Sequence, residues 1–327
     1  MGGSNFHITV IFPRCLVSFL YCWTAYVTLS RAKQIPQLFA RVLIFGYLLL
    51  GLYTYFKLIW TSPGSPLDFP ELRVNDIYAA EMGGELPPEF LAKRSITSKN
   101  NGRFRLCRTC SVWKPDRCHH CSSCNRCILK MDHHCPWIPG CIGFGNQKYF
   151  IQFLIYSTLY ATAILVISSA QFYMWFHDGV FERELIDMLL LSVWLLAFAI
   201  SIAMMCFSVF SILQVNRNQT TIEMYGYQRY REELAVLGNA HLDQDDTNAF
   251  DLGSRLENWT SVMGSKWVEW LLPIQRLEIA RNRHSWNEKG LFFELGPGIN
   301  DGILETLDLQ NRLLRRVTPR SSIDNNK

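Results

Sequence analysis

Four long apolar stretches constrain the fold of this chain more than any other feature of its sequence. They are Cys15–Leu29, Val42–Trp60, Phe150–Phe176 and Met188–Val215. A helix needs about 20 apolar residues to cross a bilayer, and the last three stretches meet that length. The first is shorter unless Ile8–Phe12 joins it across Pro13 and Arg14. Charged residues make up only 18% of the chain, against ~25% in a soluble domain. We therefore predict an α-helical integral membrane protein with four transmembrane helices, not a soluble protein with buried apolar helices.

These stretches divide the chain into four predicted regions. Residues 1–60 hold the N-terminus and spans one and two, and residues 61–149 hold a linker and a cysteine-rich segment. Residues 150–215 hold spans three and four, and residues 216–327 form a C-terminal region whose tail is predicted to be disordered. Loop charges give no single orientation, because both the short first loop and the middle region are basic. We place the middle region and both termini in the cytosol, because free thiols need reducing conditions.

Cysteine and histidine are concentrated in one segment of the middle region. Eight of the 11 cysteines and four of the eight histidines lie between Cys107 and Cys141. Several are spaced as Cys-x2-Cys, and a structural zinc ion takes four nitrogen or sulfur ligands in a tetrahedron. The segment therefore predicts two zinc sites, with ligands to spare. Spacing alone does not decide which residues bind which ion, and at least one of Cys118, His119, His133 and Cys135 is left unligated.

An unligated thiol next to a histidine and an aspartate is a nucleophile arrangement. Asp132, His133 and Cys135 supply those three groups. Only the thiolate of a cysteine attacks, so His133 is predicted to accept its proton and Asp132 to orient the imidazole. Residues two apart point to different faces of a helix, and Pro136 disfavours helix at Cys135. This stretch is therefore predicted to be a loop or an extended turn.

The same residues carry a resemblance to a known family. The string from Cys121 to Trp137, which contains Asp-His-His-Cys at 132–135, resembles the DHHC protein palmitoyltransferases. Thr220-Thr221-Ile222-Glu223 is similar to their TTxE motif, and Asn258-Trp259 is similar to a C-terminal motif in which the asparagine braces the spans. The resemblance covers about residues 15–275. Residues 248–253 and 313–320 resemble most closely the fungal vacuolar members.

The resemblance implies a role for each residue of the segment. One structural zinc ion is expected on Cys107, Cys110, His120 and Cys127, and the other on Cys121, Cys124, His134 and Cys141. Cys135, His133 and Asp132 are then the catalytic residues, while His134 binds metal. Thr221 is expected to contact Asp132. Trp137 is expected at the mouth of an acyl cavity and Tyr160 at its far end.

The implied activity is S-acylation of proteins. The acyl donor is expected to be palmitoyl-CoA, and the acceptors cysteines of proteins at the cytosolic face of the bilayer. The net charge of +4 is too small to argue for nucleic acid. Seven basic residues are candidates to meet the CoA phosphates: Arg105, Arg108, Lys114, Arg117, Arg126, Lys130 and Lys148. The vacuolar resemblance implies the vacuole membrane and a myristoylated armadillo-repeat substrate.

Two departures from the family pattern affect loops. Ser62-Pro63-Gly64 stands where the family has Asp-Pro-Gly, and Pro139-Gly140 stands where it has Asn-Asn. Neither changes a ligand or a catalytic residue, so they bear on loop geometry and not on the reaction. Cys118 is an extra thiol, for which we expect no special role; a redox or auxiliary acyl role is the alternative.

Two other functions fit part of the sequence. A membrane-anchored zinc scaffold would share the spans and zinc sites, but it would not need Asp132, His133 and Cys135 together. A membrane ubiquitin ligase of the RING type is disfavoured, because the ligands between Cys118 and Cys127 are too closely spaced for RING loops. Autoacylation by an acyl-CoA separates the enzyme from the scaffold.

Overall fold

The computed structural model describes residues 3–33, 35–96, 103–236, 248–276 and 289–297. Within these ranges the helices, in chain order, are α1 Gly3–Arg31, α2 Gln37–Trp60, α3 Ile77–Met82, α4 Glu89–Ala92, α5 Gln147–His177, α6 Met188–Asn216, α7 Thr221–Val236, α8 Arg255–Met263 and α9 Trp267–Leu271. Short 3-10 turns lie at Pro66–Asp68, Pro70–Leu72 and Val180–Glu182. Residues 313–320, and the tail predicted to be disordered, lie outside the described residues.

Three helices of the described chain, α2, α5 and α6, are long and apolar enough to cross a membrane. They contain the second, third and fourth predicted stretches. α1 is not one of the three, although it is a single helix of 29 residues that runs through Pro13. The apolar residues before Pro13 therefore continue the helix of the first stretch. Arg14 and several hydroxyl-bearing side chains make α1 less apolar than the others.

The four long helices pack together with α5 at the centre. α5 contacts α1, α2 and α6, and their apolar side chains form a core around Tyr21, Ile44 and Tyr160. Hydroxyl groups join α1 to α5 within this core. Tyr21 Oη donates to Ser157 Oγ at 2.7 Å, and the hydroxyls of Thr24 and Tyr160 lie 2.8 Å apart. Such pairing satisfies polar groups that water does not reach.

The end of this bundle that is distant from the cysteine-rich segment carries an ion pair. Arg31, the last residue of α1, pairs with Asp187 just before α6 at 3.2 Å. The Asp187 carboxylate also accepts bonds from the backbone N–H groups of Leu189 and Leu190, and so caps α6. Part of the positive charge of the first loop is therefore neutralised by the acidic loop before α6.

The cysteine-rich segment folds into three antiparallel hairpins between α2 and α5. Their strands are β1 Leu106–Cys107 with β2 Val112–Trp113, β3 His119–Cys121 with β4 Arg126–Ile128, and β5 His133–Cys135 with β6 Gly140–Ile142. Cys107, Cys121 and Cys135 end the first strand of each hairpin and follow one another at intervals of 14 residues. The segment is thus a short internal repeat, which is hidden in the sequence because each copy is small.

Loops that flank the segment fasten it to the bundle. The backbone carbonyls of Pro63 and Gly64 accept bonds from Gly145 and Leu129 at 3.0 and 3.1 Å, and Ser65 Oγ donates to the Cys127 carbonyl at 2.7 Å. None of these contacts involves the side chain of residue 62, so the serine at that position does not remove them. In the second loop that differs from the family pattern, Pro139-Gly140, the glycine pairs with Cys135 at the end of the third hairpin.

The C-terminal helices pack against the ends of the long helices that lie next to the hairpins. Asn258 Nδ2 donates to the Asn216 carbonyl at the end of α6 at 2.9 Å. Gln152 Nε2, in the second turn of α5, donates to the carbonyls of Glu269, Trp270 and Leu272 at 3.1, 3.1 and 2.9 Å. The asparagine therefore connects the C-terminal region to a long helix, as the motif predicts.

Candidate functional site

Two groups of four ligand atoms lie within the hairpins. Cys107, Cys110, His120 and Cys127 form the first group, and Cys121, Cys124, His134 and Cys141 form the second. Within each group the ligand atoms all lie within 4.8 Å of one another. These are the two sets that the family resemblance implies.

The register of the hairpins explains why the two sets interleave along the chain. In the second hairpin His120 lies opposite Cys127, and in the third His134 lies opposite Cys141. Each of these pairs meets the Cys-x2-Cys turn of the hairpin before it. Each group of ligands therefore comes from two successive hairpins, and the two groups together connect all three hairpins.

The donor atoms fit zinc in kind and in spacing. A tetrahedral site with Zn–N and Zn–S bonds of ordinary length separates nitrogen from sulfur by about 3.6 Å. In the second group His134 Nδ1 lies 3.6, 3.4 and 3.6 Å from the sulfurs of Cys121, Cys124 and Cys141. In the first group His120 Nδ1 lies 3.6, 3.3 and 3.9 Å from those of Cys107, Cys110 and Cys127. Both groups can hold a metal ion with all four positions filled.

The third hairpin also carries the predicted nucleophile and base. His133, His134 and Cys135 are consecutive in β5. Side chains alternate along a strand, so His133 and Cys135 share one face while His134 points to the metal ligands on the other. The prediction that these residues are not helical is confirmed; they form a strand instead of a loop or turn, and its extended backbone brings the two side chains to the same side.

Asp132 is held between the base and the C-terminal region. Its Oδ2 lies 2.6 Å from His133 Nδ1. Its Oδ1 accepts a bond from the backbone N–H of Thr221 at 2.7 Å, and Oδ2 accepts a second bond from Thr221 Oγ1 at 3.2 Å. The contact between Thr221 and Asp132 is therefore present as expected. It joins residues that are 89 positions apart in the chain.

The surroundings of His133 make it a stronger base than a free imidazole. Burial lowers the pKa of His133, but the interactions of its ring with Asp132 and Cys135 together outweigh burial and raise the pKa to about 9. Its other ring nitrogen, Nε2, is buried and makes no regular hydrogen bond within the described structure. Nδ1 is thus fixed by Asp132, and Nε2 is available to the Cys135 thiol.

An apolar cluster encloses the thiol. Cys135 is buried among side chains that include Tyr55, Leu58 and Phe150 at the junction of the hairpins with α2 and α5. The ring of Phe150 meets the His133 ring edge-to-face at 5.2 Å, and Phe207 of α6 lies 6.3 Å from it. The site therefore lies where the cysteine-rich segment meets the helix bundle, away from bulk water.

The two residues expected to line an acyl cavity lie at different depths along the helix bundle. Trp137 is 58% exposed, and its carbonyl accepts a bond from Tyr55 Oη at 3.0 Å, so it lies close to Cys135. Tyr160 belongs to the core between α1 and α5 and stacks on Tyr21 with ring centroids 4.5 Å apart. Tyr160 follows Phe150 by ten positions in α5, which corresponds to about 15 Å along the helix.

Four of the seven basic residues considered for CoA phosphates have partners inside the protein. Arg105 Nη2 donates to the Cys118 carbonyl at 2.6 Å, and Arg108 pairs with Glu81 at 2.6 Å. Arg117 and Lys130 are buried and both donate to Asn218 Oδ1, at 3.0 and 3.2 Å. These four are engaged in the structure, which leaves Lys114, Arg126 and Lys148 of the original set.

The network around Arg117 was not identified from the sequence. Arg117 pairs with Glu223 of the TTxE motif through bonds of 2.7 and 2.8 Å and lies over the ring of Phe250 at 4.3 Å. Burial lowers the pKa of neighbouring Lys130, and the Arg117 charge lowers it further. The glutamate of the TTxE motif therefore compensates buried positive charge. Its position in that motif, two residues after Thr221, was the feature of the sequence from which this role could have been predicted.

Cys118 is fully buried in the core of the hairpins.

Comparison with known proteins gives the same family. Residues 100–228 match the family model described as DHHC palmitoyltransferase. The chain is similar to "Palmitoyltransferase PFA3" of Saccharomyces cerevisiae, with 53% identity over 98% of this chain and 96% of the relative, and to that of Candida glabrata, with 51% identity over 96% and 95%. The human "Palmitoyltransferase ZDHHC2" is 31% identical over 75% of this chain and 64% of its own length. The chain therefore belongs to the DHHC palmitoyltransferase family and is an integral membrane protein S-palmitoyltransferase.

Proposed function

We propose that Cys135 carries the acyl group as a thioester, with His133 as the base and Asp132 as its orienting partner. The observation that supports this most directly is the 2.6 Å contact between Asp132 and His133 Nδ1, next to a thiol on the same face of β5. An Asp–His pair with a free second nitrogen is the arrangement that activates a nucleophile.

The proposed reaction has two symmetrical steps. His133 takes the Cys135 proton, and the thiolate attacks the carbonyl carbon of palmitoyl-CoA. The bond between that carbon and the CoA sulfur breaks, and CoA leaves with the proton from His133. In the second step the thiol of a protein substrate gives its proton to His133 and attacks the acyl-Cys135 carbonyl. Cys135 then leaves and recovers its proton. One thioester replaces another, so positioning matters more than driving force.

The two zinc ions are proposed to have a structural role. Cys107, Cys110, His120 and Cys127 would hold one, and Cys121, Cys124, His134 and Cys141 the other. With four protein ligands each ion has no open position, so it supplies folding stability and not Lewis acidity. This matters for the reaction because His134 lies between His133 and Cys135. Metal binding by His134 would fix the strand that presents both catalytic side chains.

Labelling with palmitoyl-CoA that carries an alkyne tests the thioester. The purified wild-type protein should acquire a label that hydroxylamine removes, and Cys135→Ser should acquire none. Cys206→Ser is the matched control, because Cys206 is an exposed thiol of α6 and should label like the wild type. Label that persists in Cys135→Ser would contradict the mechanism. A folded wild-type protein without label would favour the non-catalytic zinc scaffold.

We propose four transmembrane spans with the hairpins and both termini in the cytosol. α1 packs against α2 and α5, and its end pairs with Asp187 between α5 and α6, so it has the position of a fourth membrane helix. Reduced thiols in the metal sites support the cytosolic placement. Accessibility to an impermeant maleimide, at single cysteines introduced at the N-terminus, at residue 33 and near residue 255, tests this arrangement. The N-terminus and residue 255 should label from one side and residue 33 from the other, and labelling of the N-terminus and residue 33 from the same side would contradict it.

We propose that the acyl chain extends from Trp137 towards Tyr160 between the long helices. The contact between the hydroxyls of Thr24 and Tyr160 supports this, because it joins α1 to α5 and would limit the depth of such a space. Tyr160→Ala should shift the preference of autoacylation towards longer acyl-CoAs, whereas Tyr160→Phe should change it less. An unaltered profile in Tyr160→Ala would place the chain elsewhere.

The vacuole membrane and a myristoylated armadillo-repeat substrate are proposed from the resemblance to the fungal vacuolar enzymes. One acyl chain binds a membrane only weakly, so palmitoylation would fix such a substrate there. A fluorescent fusion, together with mass spectrometry of acylated cysteines with and without Cys135, tests both points. Unchanged acylation of every armadillo-repeat protein would overturn the substrate assignment.

A further inference from the structure

Arg14 is a cation within the apolar part of α1. A charged residue between apolar residues of a membrane helix is costly and usually has a partner or a function. Arg14 Nε is buried and makes no hydrogen bond to any group that the structure describes. A guanidinium in this position needs an anion to compensate its charge.

The position of Arg14 relates it to the catalytic thiol. Val17 of α1 packs against the apolar cluster that contains Tyr55 and Cys135. Arg14 precedes Val17 by three positions, which places it on the same face of the helix, one turn closer to the N-terminus. The Tyr55 hydroxyl interacts electrostatically with both the Arg14 guanidinium and Cys135, and it donates to the Trp137 carbonyl at 3.0 Å. Arg14 therefore lies beside the site, on the side away from the membrane core.

Other cations with a buried, unpartnered nitrogen have nearby negative groups. Arg126 Nε and Lys148 Nζ are in this state within the described structure. Arg126 interacts with the Cys124 sulfur, a metal ligand, and Lys148 interacts with Glu269. Among the described residues, Arg14 lies near Tyr55 and thiols and is paired with no carboxylate. Its counterion is therefore expected to come from outside the chain.

We propose that Arg14 binds a phosphate group of the acyl-CoA donor while its thioester lies at Cys135. This deepens the proposed function and rests on it. An acyl chain directed into the bundle leaves the CoA head on the side of Cys135 where Arg14 lies. A guanidinium binds phosphate through two parallel hydrogen bonds, and an ammonium in the same place does so less well. Arg14 is thus a determinant of donor binding supplied by α1, not by the hairpins.

Autoacylation by the purified full-length protein tests this, with palmitoyl-CoA as donor and free CoA as competitor. Arg14→Gln should raise the half-saturating palmitoyl-CoA concentration about tenfold or more, as expected for a lost charge-assisted bond. The maximal rate should change little, because the bond acts on binding and not on the chemical step. Free CoA should become a weaker inhibitor in parallel, and Arg14→Lys should show a smaller increase. Arg41→Gln, an exposed arginine at the opposite end of the bundle, is the matched control and should behave like the wild type.

The same assay in detergent, in phosphatidylcholine vesicles and in vesicles with phosphatidylserine separates donor phosphate from lipid phosphate. A shift of equal size in all three supports the proposal. A shift that is present in either kind of vesicle but absent in detergent assigns Arg14 to lipid phosphate and overturns it. Unchanged half-saturation in Arg14→Gln also overturns it, as does unchanged half-saturation in Arg14→Lys should the glutamine variant not fold. Absence of Cys135 label in the wild type would instead refute the proposed function.

Discussion

The contact between Thr221 and Asp132 provides a quantitative test of how the C-terminal region controls the active site. Asp132 accepts three bonds, from His133 Nδ1 at 2.6 Å, from the Thr221 backbone at 2.7 Å and from the Thr221 hydroxyl at 3.2 Å. Thr221→Val removes only the third. A hydrogen bond to a charged group contributes about 1.5–3 kcal/mol, and the length of this bond favours the lower end.

A loss of about 1.4 kcal/mol corresponds to a tenfold change in rate. We therefore expect Thr221→Val to form acyl-Cys135 about tenfold more slowly than the wild type. The expected effect is partial because the backbone N–H of residue 221 still holds Oδ1. Asp132→Asn should be slower again, because it removes the charge that stabilises the protonated His133. The measurement is the single-turnover rate of hydroxylamine-sensitive labelling at saturating palmitoyl-CoA.

Thr221→Ser is the matched control, because it keeps the hydroxyl and removes only a methyl group. It should acylate at close to the wild-type rate. Wild-type speed in Thr221→Val would show that the hydroxyl does not position Asp132. Equal slowing in the serine and valine variants would assign the effect to lost packing and refute the hydrogen-bond argument.

Three further predictions concern the hairpins and their attachment. Cys110→Ser and Cys124→Ser should each lower bound zinc from two ions to one per chain, as measured by elemental mass spectrometry; a content that stays at two would contradict the ligand sets. Gly145→Ala should lower thermal stability by roughly 1–3 kcal/mol, because a β-carbon there would overlap the Ser62 carbonyl, whereas Gly46→Ala, with no atom within 4 Å, should not; equal melting temperatures would refute the close contact. Ile138→Cys should make autoacylation sensitive to inhibition by micromolar zinc, because it creates a Cys-x2-Cys turn with Cys135; insensitivity would show that this hairpin cannot bind metal through that turn.

Local patterns in the sequence were sufficient for much of this structure. Apolar length predicted α2, α5 and α6, and the spacing of Cys and His predicted two metal sites without assigning their ligands. Contacts between distant segments were different. The pairing of Thr221 with Asp132 followed only from the family resemblance, and that of Arg117 with Glu223 was missed, because no periodicity links residues 106 positions apart. The continuity of α1 through Pro13 was left open, since proline can end a helix or be accommodated within it.

The repeat of the hairpins suggests why Cys135 is a free nucleophile in a segment full of metal ligands. Each hairpin can offer a Cys-x2-Cys turn to the next hairpin and a cross-strand pair to the previous one. The first hairpin has Leu106 opposite Trp113 in place of a His–Cys pair, and no hairpin precedes it among the residues that the structure describes. The third has Cys135 where the second has the ligand Cys121, but Ile138 where the second has Cys124, and α5 follows it. Cys135 thus occupies a ligand position for which the chain provides neither a second turn cysteine nor a following hairpin. The same strand geometry that holds His134 on metal leaves this thiol beside His133, facing the membrane helices.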